Sequence, residues 1–493
     1  VVQTTNVNED GQDLINITWD SELYRFVWNW TNGEEEDNYE YYVELVMDNS
    51  QEITEVTSNN YYMPTQRGTI TSFSVRARQI SQVGQGGEIE LYIFSQAVNY
   101  TSGNIEYTLF SGGDGTEEDP YRISTDEDFY NISKRNVDGG QFYFILTNNI
   151  TIDNDMLEQD GHLIMEIFYG NLDGNDYTIT INADRMYDFE GYRENITGIG
   201  TISFEQYFSI FREIALNASI NNVNIDFIID TTTLEGSNLI ISPLALENYG
   251  SLNNITISNI SLTRLQGSGT INNVFVGGIV GINYGTISSS SNNASFTYNM
   301  PQLLNVNFGY GAIAVINTSE AGNSGVISNT FNNGNVSVNV QRANVNIYLS
   351  GIVINNYSSL SMVGNNGNFT QLSTVTNASY FTGISLLSNG GSISYAFNNG
   401  LFTSSSSTSQ NFAGISYTLE SGQINYLADT SGYAIARISQ SSPQDNGVNY
   451  ASVSSGTVSN ISTSSLGQVD IDIGNGYHFI ISLVNESYFA TIE

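Results

Sequence analysis

The chain has 493 residues and no Cys, and its 50 acidic residues against 13 Lys and Arg residues give a formal net charge of −37. This balance argues against nucleic acid as a partner, because binding to phosphates needs a basic surface, and an anionic membrane surface is disfavoured for the same reason. Because no apolar run approaches the roughly 20 residues of a membrane-spanning helix, we expect a soluble chain without direct membrane insertion.

The first residue is Val1 rather than Met, so we expect that a signal peptide has been removed and that the protein is extracellular or at a cell surface. The absence of Cys does not indicate whether the protein resides in a reducing or an oxidising compartment, because a chain of this length can bury a core without disulfides. Charge is unevenly distributed, with 42 acids and 11 bases in residues 1–264 but 8 acids and 2 bases in 265–493.

The first hundred residues contain short segments in which apolar residues alternate with polar ones, such as "LINITWD", "YEYYVELV" and "TSFSVRARQ". Alternation of this kind, with turn signals between the segments, predicts an antiparallel sandwich. Trp19 after "INIT", the Tyr-rich "NYEYYVELV" and the "SFSVRARQI" segment resemble a fibronectin type III domain. The resemblance implies an Ig-like sandwich over residues 1–98, which a linker over 99–122 would follow.

A short helix is predicted after the turn-rich segment from Gly112 to Pro120. Ser124 and Glu127 have the spacing of a capping box, and Phe129 and Ile132 would face inward. Lys134 and Arg135 would lie at the C-terminal end of the helix, where basic side chains are favourable. Strands are expected to follow.

Three segments between residues 112 and 182 belong together: "GGDGTEEDPYRISTDEDFYNISKR", "GGQFYFILTNNITID" and "FYGNLDGNDYTITIN". They resemble the start of bacterial and archaeal surface proteins that contain right-handed parallel β-helices of the GLUG-motif kind. The resemblance implies that the short helix caps a right-handed β-helix. Asn175 and Asp176 stand where that family has Asn-Gly, so the turn there is expected to differ.

A repeat runs through the rest of the chain. A small residue or turn precedes a buried aliphatic anchor at intervals of 34, 35, 34, 39, 32 and 31 residues, and the anchors are Ile210, Leu244, Ile279, Ile313, Ile352, Ile384 and Ile415. Several anchors are followed by a second phrase such as "YGTIS", "GGSIS" or "SGQIN", and by a third such as "NNASFT", "NNGNVSV", "NNGNFT" or "NNGLFT".

Three short strands per repeat, joined by Gly and Asn at the corners, describe one rung of a parallel β-helix. Rungs stack at about 4.8 Å and bury together the apolar residues that no rung can bury alone. We therefore predict an all-β chain with a parallel β-helix over residues 123–465, in which about nine rungs give a rod of roughly 40 Å. Strands over 466–493 would cap the rod or pair with another subunit.

Residues that could carry out catalysis are few. His162 and His478 lie in different regions of the sequence, thiol chemistry is excluded without Cys, and no nucleophile or nucleotide motif appears. Charged residues after 265 are too sparse for a carboxylate pair with bases on most rungs, although residues 150–230 could hold such a site. We expect no catalytic residue, no organic cofactor and no enzymatic activity.

Acidic clusters are candidates for a structural Ca²⁺ site, because Ca²⁺ prefers several oxygen ligands from turns. The candidates are Asp114, Glu117, Glu118, Asp119, Asp173 and Asp176, together with Glu34, Glu35, Glu36 and Asp37. None of these clusters has the spacing of a known calcium loop, so solvated acidic turns are the favoured interpretation.

Seventeen N-x-S/T sequons occur in the sequence. In an exported archaeal or eukaryotic glycoprotein several of them would carry glycans. The glycosylation candidates are Asn16, Asn29, Asn99, Asn131, Asn195, Asn254, Asn293, Asn335, Asn368, Asn460 and Asn485.

The leading hypothesis is a non-enzymatic extracellular structural protein, a subunit of a cell-surface filament or appendage that assembles by self-association. Terminal strands near 1–8 and 468–493 are candidates for addition to the sheet of a neighbouring subunit, and capping of their own rod is an equal alternative. The second hypothesis is a monomeric surface adhesin that binds glycans or host proteins through the flank of the rod. A polysaccharide-active enzyme is the third hypothesis.

Overall fold

The structure is a computed structural model of the whole chain. It describes residues 4–5, 14–21, 24–30, 39–48, 52–57, 59–64, 68–82, 90–95, 97–107, 109–135, 142–153, 158–159, 162–163, 166–183, 187–188, 192–196, 200–230, 238–263, 273–299, 307–320, 322–339, 345–372, 378–405, 409–429, 457–462, 470–474, 477–484 and 487–492.

The chain divides into two compact units. The first contains residues 1–123 and 131–137, and the second contains residues 124–130 and 138–493. The predicted domain boundaries at 98, 122 and 465 remain predictions. Within the span that was predicted as a linker, short strands pair with the sheet of the first unit, as described next.

The first unit consists of strands. In chain order they are β1 (Thr4–Thr5), β2 (Leu14–Asp20), β3 (Arg25–Trp30), β4 (Tyr39–Met47), β5 (Glu52–Thr57), β6 (Tyr61–Tyr62), β7 (Gly68–Gln82), β8 (Glu90–Ser95), β9 (Val98–Asn99), β10 (Ile105–Tyr107) and β11 (Tyr121–Ile123).

Two sheets form in this unit. The larger has the order β1-β8-β7-β4-β5, with β9 and β10 also paired to β7, and the smaller has the order β2-β3-β6. All pairs are antiparallel except β1 with β8. Phe26 of the smaller sheet stacks on Phe73 of the larger at 3.8 Å between ring centroids, and Trp28 lies edge-on to Tyr41 at 5.2 Å. Alternating aromatic residues of both sheets thus share one core.

A short helix, α1 (Asp126–Asn131), precedes a 3₁₀ turn over Ile132–Lys134. Phe129 and Ile132 are fully buried, as predicted. The cap is one residue later than the predicted Ser124–Glu127 pair: Thr125 Oγ1 accepts from the Asp128 amide at 3.1 Å, and Asp128 Oδ2 accepts from the Thr125 amide at 3.1 Å. This reciprocal pair is a capping box in which Asp takes the place of Glu.

The second unit is also built from strands. In chain order they are β12 (Tyr143–Leu146), β13 (Ile150–Asp153), β14 (Glu158–Gln159), β15 (His162–Leu163), β16 (Ile167–Phe168), β17 (Asn171–Asp173), β18 (Thr178–Ala183), β19 (Tyr187–Asp188), β20 (Arg193–Ile196), β21 (Gly200–Ser203), β22 (Gln206–Phe208), β23 (Phe211–Ile214), β24 (Ser219–Asp230), β25 (Asn238–Ile241), β26 (Ala245–Asn248), β27 (Ser251–Thr263), β28 (Asn273–Gly277), β29 (Val280–Asn283), β30 (Thr286–Ser288), β31 (Ser291–Asn292), β32 (Phe296–Asn299), β33 (Asn307–Gly311), β34 (Ala314–Asn317), β35 (Ser319–Glu320), β36 (Asn323–Ser324), β37 (Val326–Asn332), β38 (Val336–Asn339), β39 (Asn346–Ser350), β40 (Val353–Asn356), β41 (Ser359–Asn365), β42 (Phe369–Gln371), β43 (Ala378–Thr382), β44 (Ser385–Ser388), β45 (Ser392–Asn398), β46 (Phe402–Ser404), β47 (Ser409–Ala413), β48 (Ser416–Leu419), β49 (Gln423–Asp429), β50 (Thr457–Ser462), β51 (Asp470–Gly474), β52 (Tyr477–Val484) and β53 (Ser487–Ile492).

Four sheets run through successive repeats of this unit. The pre-anchor sheet has the order β19-β22-β25-β28-β33-β39-β43-β47, and the post-anchor sheet has the order β16-β23-β26-β29-β34-β40-β44-β48. The long sheet runs β12-β17-β24-β27-β30-β37-β41-β45-β49-β50, and the four-stranded sheet runs β32-β38-β42-β46. Apart from β19 and β22, which are antiparallel, each strand of these sheets pairs in parallel with its counterpart one repeat later, as β28 does with β33 and β29 with β34. This architecture is compatible with the predicted parallel β-helix.

The anchors occupy a corner rather than a strand. Each anchor residue is buried and lies between a pre-anchor and a post-anchor strand. Main-chain hydrogen bonds join successive anchors, for example from Ile279 N to Ile313 O at 2.8 Å and from Ile384 N to Ile415 O at 3.0 Å. Repeats that include the four-stranded sheet therefore have at least four strands, not the predicted three, because the anchor phrase supplies two strands joined by a tight turn.

Two ladders of buried amides follow the corners of the second unit. In the first, Asn248, Asn283 and Asn317 each donate through Nδ2 to Oδ1 of the next member, ending on Asn356, at 2.8, 2.9 and 2.9 Å. In the second, Asn332 donates to Asn365, which donates to Asn398, which donates to Asp429, at 2.7, 2.8 and 2.9 Å. The asparagines are fully buried, so the ladders satisfy polar groups that would otherwise be costly inside the stack.

The C-terminal strands β51, β52 and β53 form an antiparallel sheet of their own. Near the N-terminus, β1 pairs with β8. The main chain at both ends, proposed above for pairing between subunits, is thus engaged within its own chain in the described residues.

Candidate functional site

The calcium candidates Asp114 and Asp119 lie in the turn before β11. Asp114 Oδ1 accepts from the Thr116 amide at 3.0 Å and from Thr116 Oγ1 at 2.7 Å. Asp119 forms an ion pair with Arg122 at 2.8 Å, and Glu117 and Glu118 are exposed. The turn is therefore stabilised by its own hydrogen bonds.

Asp173 and Asp176 lie in the turn after β17. Asp173 Oδ1 accepts from the Asn175 amide at 2.8 Å and from Asn222 Nδ2 at 3.0 Å. Asn175 and Asp176 have φ values of 48° and 62°, which are left-handed conformations that Asn and Asp tolerate. Among the residues that the structure describes, no group of three His, Asp or Glu side chains is arranged to hold a metal ion. Glu34, Glu35, Glu36 and Asp37 lie outside the described residues.

The two histidines lie on separate sheets, His162 in β15 and His478 in β52. The structure does not bring them together.

The sequon asparagines differ widely in environment. Asn131 is buried, and its Nδ2 donates to Leu109 O at 2.8 Å. Asn254 is half-buried and donates to Asn222 Oδ1 at 2.9 Å. The exposed ones are Asn29, Asn99, Asn195, Asn293, Asn335 and Asn368. The side chains of Asn16 and Asn460, and all of Asn485, lie outside the described part of the chain.

A group of aromatic and acidic side chains that sequence analysis did not single out comes together beside the post-anchor sheet. We call it the tyrosine–glutamate cluster, and it consists of Tyr192, Glu194, Arg212, Glu213, Glu247, Tyr249, Tyr284, Glu320, Asn355 and Tyr357.

One end of the tyrosine–glutamate cluster is the buried carboxyl of Glu194, on the hairpin β20–β21. It accepts hydrogen bonds from Asn355 Nδ2 at 2.6 Å, from Tyr192 OH at 3.2 Å and from Tyr357 OH. Burial raises the pKa of Glu194, and the three hydrogen bonds oppose this rise. Because Asn355 and Tyr357 follow Glu194 by more than 150 residues, these bonds attach the hairpin to a distant repeat.

The other end of the cluster contains Glu247 on β26. Burial raises its pKa to about 7; Arg212 lowers this pKa, while the charges of Glu213 and Glu320 raise it. The guanidinium of Arg212 lies 3.7 Å from the carboxylates of both Glu213 and Glu247. One basic group thus faces two carboxylates, with a third nearby.

Two tyrosine rings join the ends. Tyr249 and Tyr284 stack at 4.6 Å between ring centroids with planes 9° apart, and Tyr249 OH donates to Glu320 Oε2 at 2.8 Å. Burial raises the pKa of Tyr284, as do the charges of Glu247, Glu320 and Glu194. The cluster therefore combines aromatic rings, hydroxyl donors and carboxylate acceptors. Tyr284 and Glu194 are buried, so half-exposed Tyr249 is the ring of the stacked pair that could stack on a polar ring compound.

A signal for the stack was present in the sequence. "NYG" occurs at 248–250 and again at 283–285, one repeat apart. Equivalent positions of stacked repeats become neighbours, so a repeated Tyr predicts a ring stack. No comparable signal marks Glu194, because its partners are set by where an inserted hairpin lies.

Comparison with known proteins gives two limited similarities. No protein-family model matches the chain. Over 167 residues, 33% of this chain and 17% of the relative, it is 28% identical to a "Putative Gly-rich membrane protein" of Evansella cellulosilytica. The chain therefore spans well under two thirds of that relative's length. In the described residues, no helix is long and apolar enough to cross a membrane.

A solved structure from Bacteroides ovatus, described as a "putative immunoglobulin A1 protease", aligns with 72% of this chain and 87% of its own at 15% identity and a TM-score of 0.38. This finding corrects the expectation that the chain lacks enzymatic activity, because an aligned protein is described as a protease. The likeness is too low to assign a reaction, a substrate or a catalytic residue to the present chain.

Proposed function

We propose that the chain is an extracellular structural protein of a cell surface, in which a right-handed β-helical rod carries an N-terminal fibronectin type III-like domain. The observation that carries this proposal is the stack of parallel strands, eight deep in the post-anchor sheet, with buried amide ladders along it. Such a stack resists bending because each rung is hydrogen-bonded to the next along its length. Right-handed coiling follows from the strong preference of parallel crossovers for that hand.

Self-association into a filament or appendage is the assembly that we propose for this rod. Sheets that end at a last rung offer main-chain donors and acceptors, which a second copy can pair with. Electron microscopy of the purified chain is expected to show regular fibres, and isolated rods at all concentrations would contradict the assembly.

A deletion of residues 468–493 tests how the copies would join. If the C-terminal strands are exchanged between subunits, the deletion abolishes fibres. If they cap their own rod, as the pairing of β51 to β53 favours, normal fibres form without them.

A second candidate function is adhesion to glycans through the flank of the rod. The observation that favours it is the tyrosine–glutamate cluster, where the stacked Tyr249 and Tyr284 lie beside the carboxylates of Glu247 and Glu320. Glycan-array binding is expected to be lost in Tyr249→Ala but kept in Tyr143→Ala, a half-exposed tyrosine of β12. Equal binding by both variants would reject this site.

A further inference from the structure

Three sequons lie in the same corner segment of three consecutive repeats: Asn335 and Asn368 are at equivalent positions, and Asn293 is two residues earlier, at the position of Asn333. Asn293, Asn335 and Asn368 each lie one to three residues before a strand of the four-stranded sheet, and all three side chains are exposed. The pairing of β32 with β38 and of β38 with β42 places these corners on adjacent rungs.

The three amides are held through their oxygen atoms. Asn335 Oδ1 accepts from the Asn368 amide nitrogen at 2.8 Å, and Asn368 Oδ1 accepts from the Leu401 amide nitrogen at 2.7 Å. Asn293 Oδ1 accepts from Asn333 Nδ2 at 2.8 Å. Within the described part of the chain, none of the three Nδ2 groups donates a hydrogen bond, so the nitrogen that a glycan would occupy is the end of each amide that is left to solvent.

In other sequons, the Nδ2 group of the asparagine is buried and donates a hydrogen bond. Asn317 and Asn356 belong to sequons "NTS" and "NYS", but both are fully buried in the first amide ladder. Asn317 Nδ2 donates to Asn356 Oδ1 at 2.9 Å, and Asn356 Nδ2 donates to Ser388 Oγ at 3.4 Å. Asn131 uses its Nδ2 to bond Leu109 O. Glycosylation at these positions would break a buried hydrogen bond and open the packing, and it would leave a buried polar group unpaired.

We infer that Asn293, Asn335 and Asn368 form a row of N-glycosylation sites along one corner of the rod, and that Asn131, Asn317 and Asn356 are not modified in the folded chain. The donor class is an oligosaccharide carried on a polyprenyl phosphate. The bond that forms joins Asn Nδ2 to the anomeric carbon of the sugar, the bond from that carbon to the phosphate oxygen breaks, and the proton lost from Nδ2 goes to a base of the transferase. The inference rests on the extracellular placement proposed above, because such transfer takes place on exported chains.

The test compares the folded chain with peptides. The purified full-length chain, and separately its proteolytic peptides, would be incubated with a purified single-subunit oligosaccharyltransferase and a lipid-linked oligosaccharide, and the occupancy of each sequon would be measured by mass spectrometry. Peptide occupancy corrects for the transferase's own preferences. After this correction, the three corner sites of the folded chain are expected to be at least tenfold more occupied than Asn131, Asn317 and Asn356.

Two outcomes would overturn the inference: equal corrected occupancy at the ladder and corner asparagines, or corner sites that react in peptides but not in the folded chain. Ser337→Ala serves as the matched control, because it removes the sequon of Asn335 and keeps its amide. This variant is expected to lose modification at Asn335 alone. The reaction is run in solution, so failure of the proposed cell-surface placement would appear separately, as chain that is not found outside cells.

Adjacent rungs are about 4.8 Å apart, so glycans on Asn335 and Asn368 would crowd one another. Chains that carry one glycan at this pair are therefore expected to outnumber chains that carry two. Independent occupancy of the two sites would contradict their stacking on adjacent rungs.

Discussion

Buried Glu194 and half-buried Glu247 are the residues whose ionisation the fold opposes most clearly. Burial raises the pKa of both. Glu194 is compensated by three hydrogen-bond donors, whereas Glu247 has Arg212 on one side and the like charges of Glu213 and Glu320 on the other. Through these two carboxyl groups, the free energy of unfolding should therefore depend on pH.

The stability of the second unit is expected to fall as pH rises from 5 to 8. The pKa of Glu247 is about 7 in the folded chain against an ordinary 4.5, so the folded state holds the proton more tightly. The contribution of protonated Glu247 to the free energy of unfolding is fully present below pH 4.5 and is lost as pH rises through about 7. This loss amounts to at most about 3 kcal/mol. Thermal unfolding at several pH values would measure this, and Glu247→Gln should flatten the profile. Glu106→Gln, at an exposed position of the first unit, should leave it unchanged.

Asn365, in the middle of the second amide ladder, is expected to be sensitive to truncation. In Asn365→Ala, Asn332 Nδ2 and Asn398 Oδ1 each lose one ladder bond. The main-chain N–H and carbonyl oxygen of Gly367 also lose the side-chain amide that bonds them. Leaving buried polar groups unpaired should cost about 2–4 kcal/mol in the free energy of unfolding. Asn333→Ala removes two ladder bonds near the surface, to Asn293 and from Asn366, and should cost less than about 1 kcal/mol. Equal losses in denaturant titrations would argue against a special role for the buried ladder.

The residues of the tyrosine–glutamate cluster show where sequence reasoning stops. The repeated "NYG" predicts the Tyr249–Tyr284 stack, because register alone brings those positions together. Glu194 and Asn355 meet because the hairpin β20–β21 lies against a repeat that is distant in the sequence. Neither local pattern nor repeat length contains that information.

At the scale of single elements, the strands follow the sequence more closely than their corners do. The third phrases of the repeat were predicted as strands, and they form β32, β38, β42 and β46. The anchor phrases are two strands each, because a small residue followed by a buried aliphatic one makes a tight turn that the apolar pattern does not reveal. The helix cap moved from Ser124 to Thr125 for a similar reason, since Asp128 can replace Glu in reciprocal capping.

Close packing at the anchor corner makes Gly383 a sensitive position. A Cβ atom there would lie 2.0 Å from Gly414 O, on the next rung. Gly383→Val should therefore destabilise the chain by roughly 3 kcal/mol through overpacking. The corresponding residue of another rung is Ala312, and Ala312→Gly should cost no more than about 1 kcal/mol. A small change in melting temperature for Gly383→Val would show that the corner can widen.

At the scale of the whole molecule, charge differs strongly between the two halves of the sequence. The net charge of −37 comes mostly from residues 1–264, while the later repeats are nearly uncharged. Electrostatic repulsion between their acidic halves opposes contact between two chains. Contact between the later repeats of two chains meets little such repulsion, because those repeats are nearly uncharged. The overall fold class could be inferred from this sparse charge and the repeat, but the relation of the N-terminal strands to a known sandwich could not.

Salt is expected to promote self-association. The screening length falls from about 10 Å at 0.1 M salt to about 3 Å at 1 M, so repulsion between acidic segments weakens while main-chain pairing is unaffected. Sedimentation velocity across this range should show a shift to larger species. Dissociation on adding salt would instead indicate that ion pairs hold the copies together, which the scarcity of basic residues argues against.

Both buried amide ladders have a direction. In each, every NH₂ group points toward the following repeat, and the second ladder ends where Asn398 donates to the carboxylate of Asp429. Aligned amide dipoles add, as peptide dipoles do in a helix, so each row has a partial positive charge at its C-terminal end. Asp429 places an anion at that end, as acidic residues do at the start of helices. Each ladder is thus electrically polar along the direction of stacking, and in the second ladder the carboxylate of Asp429 compensates the partial positive charge at the end where it lies.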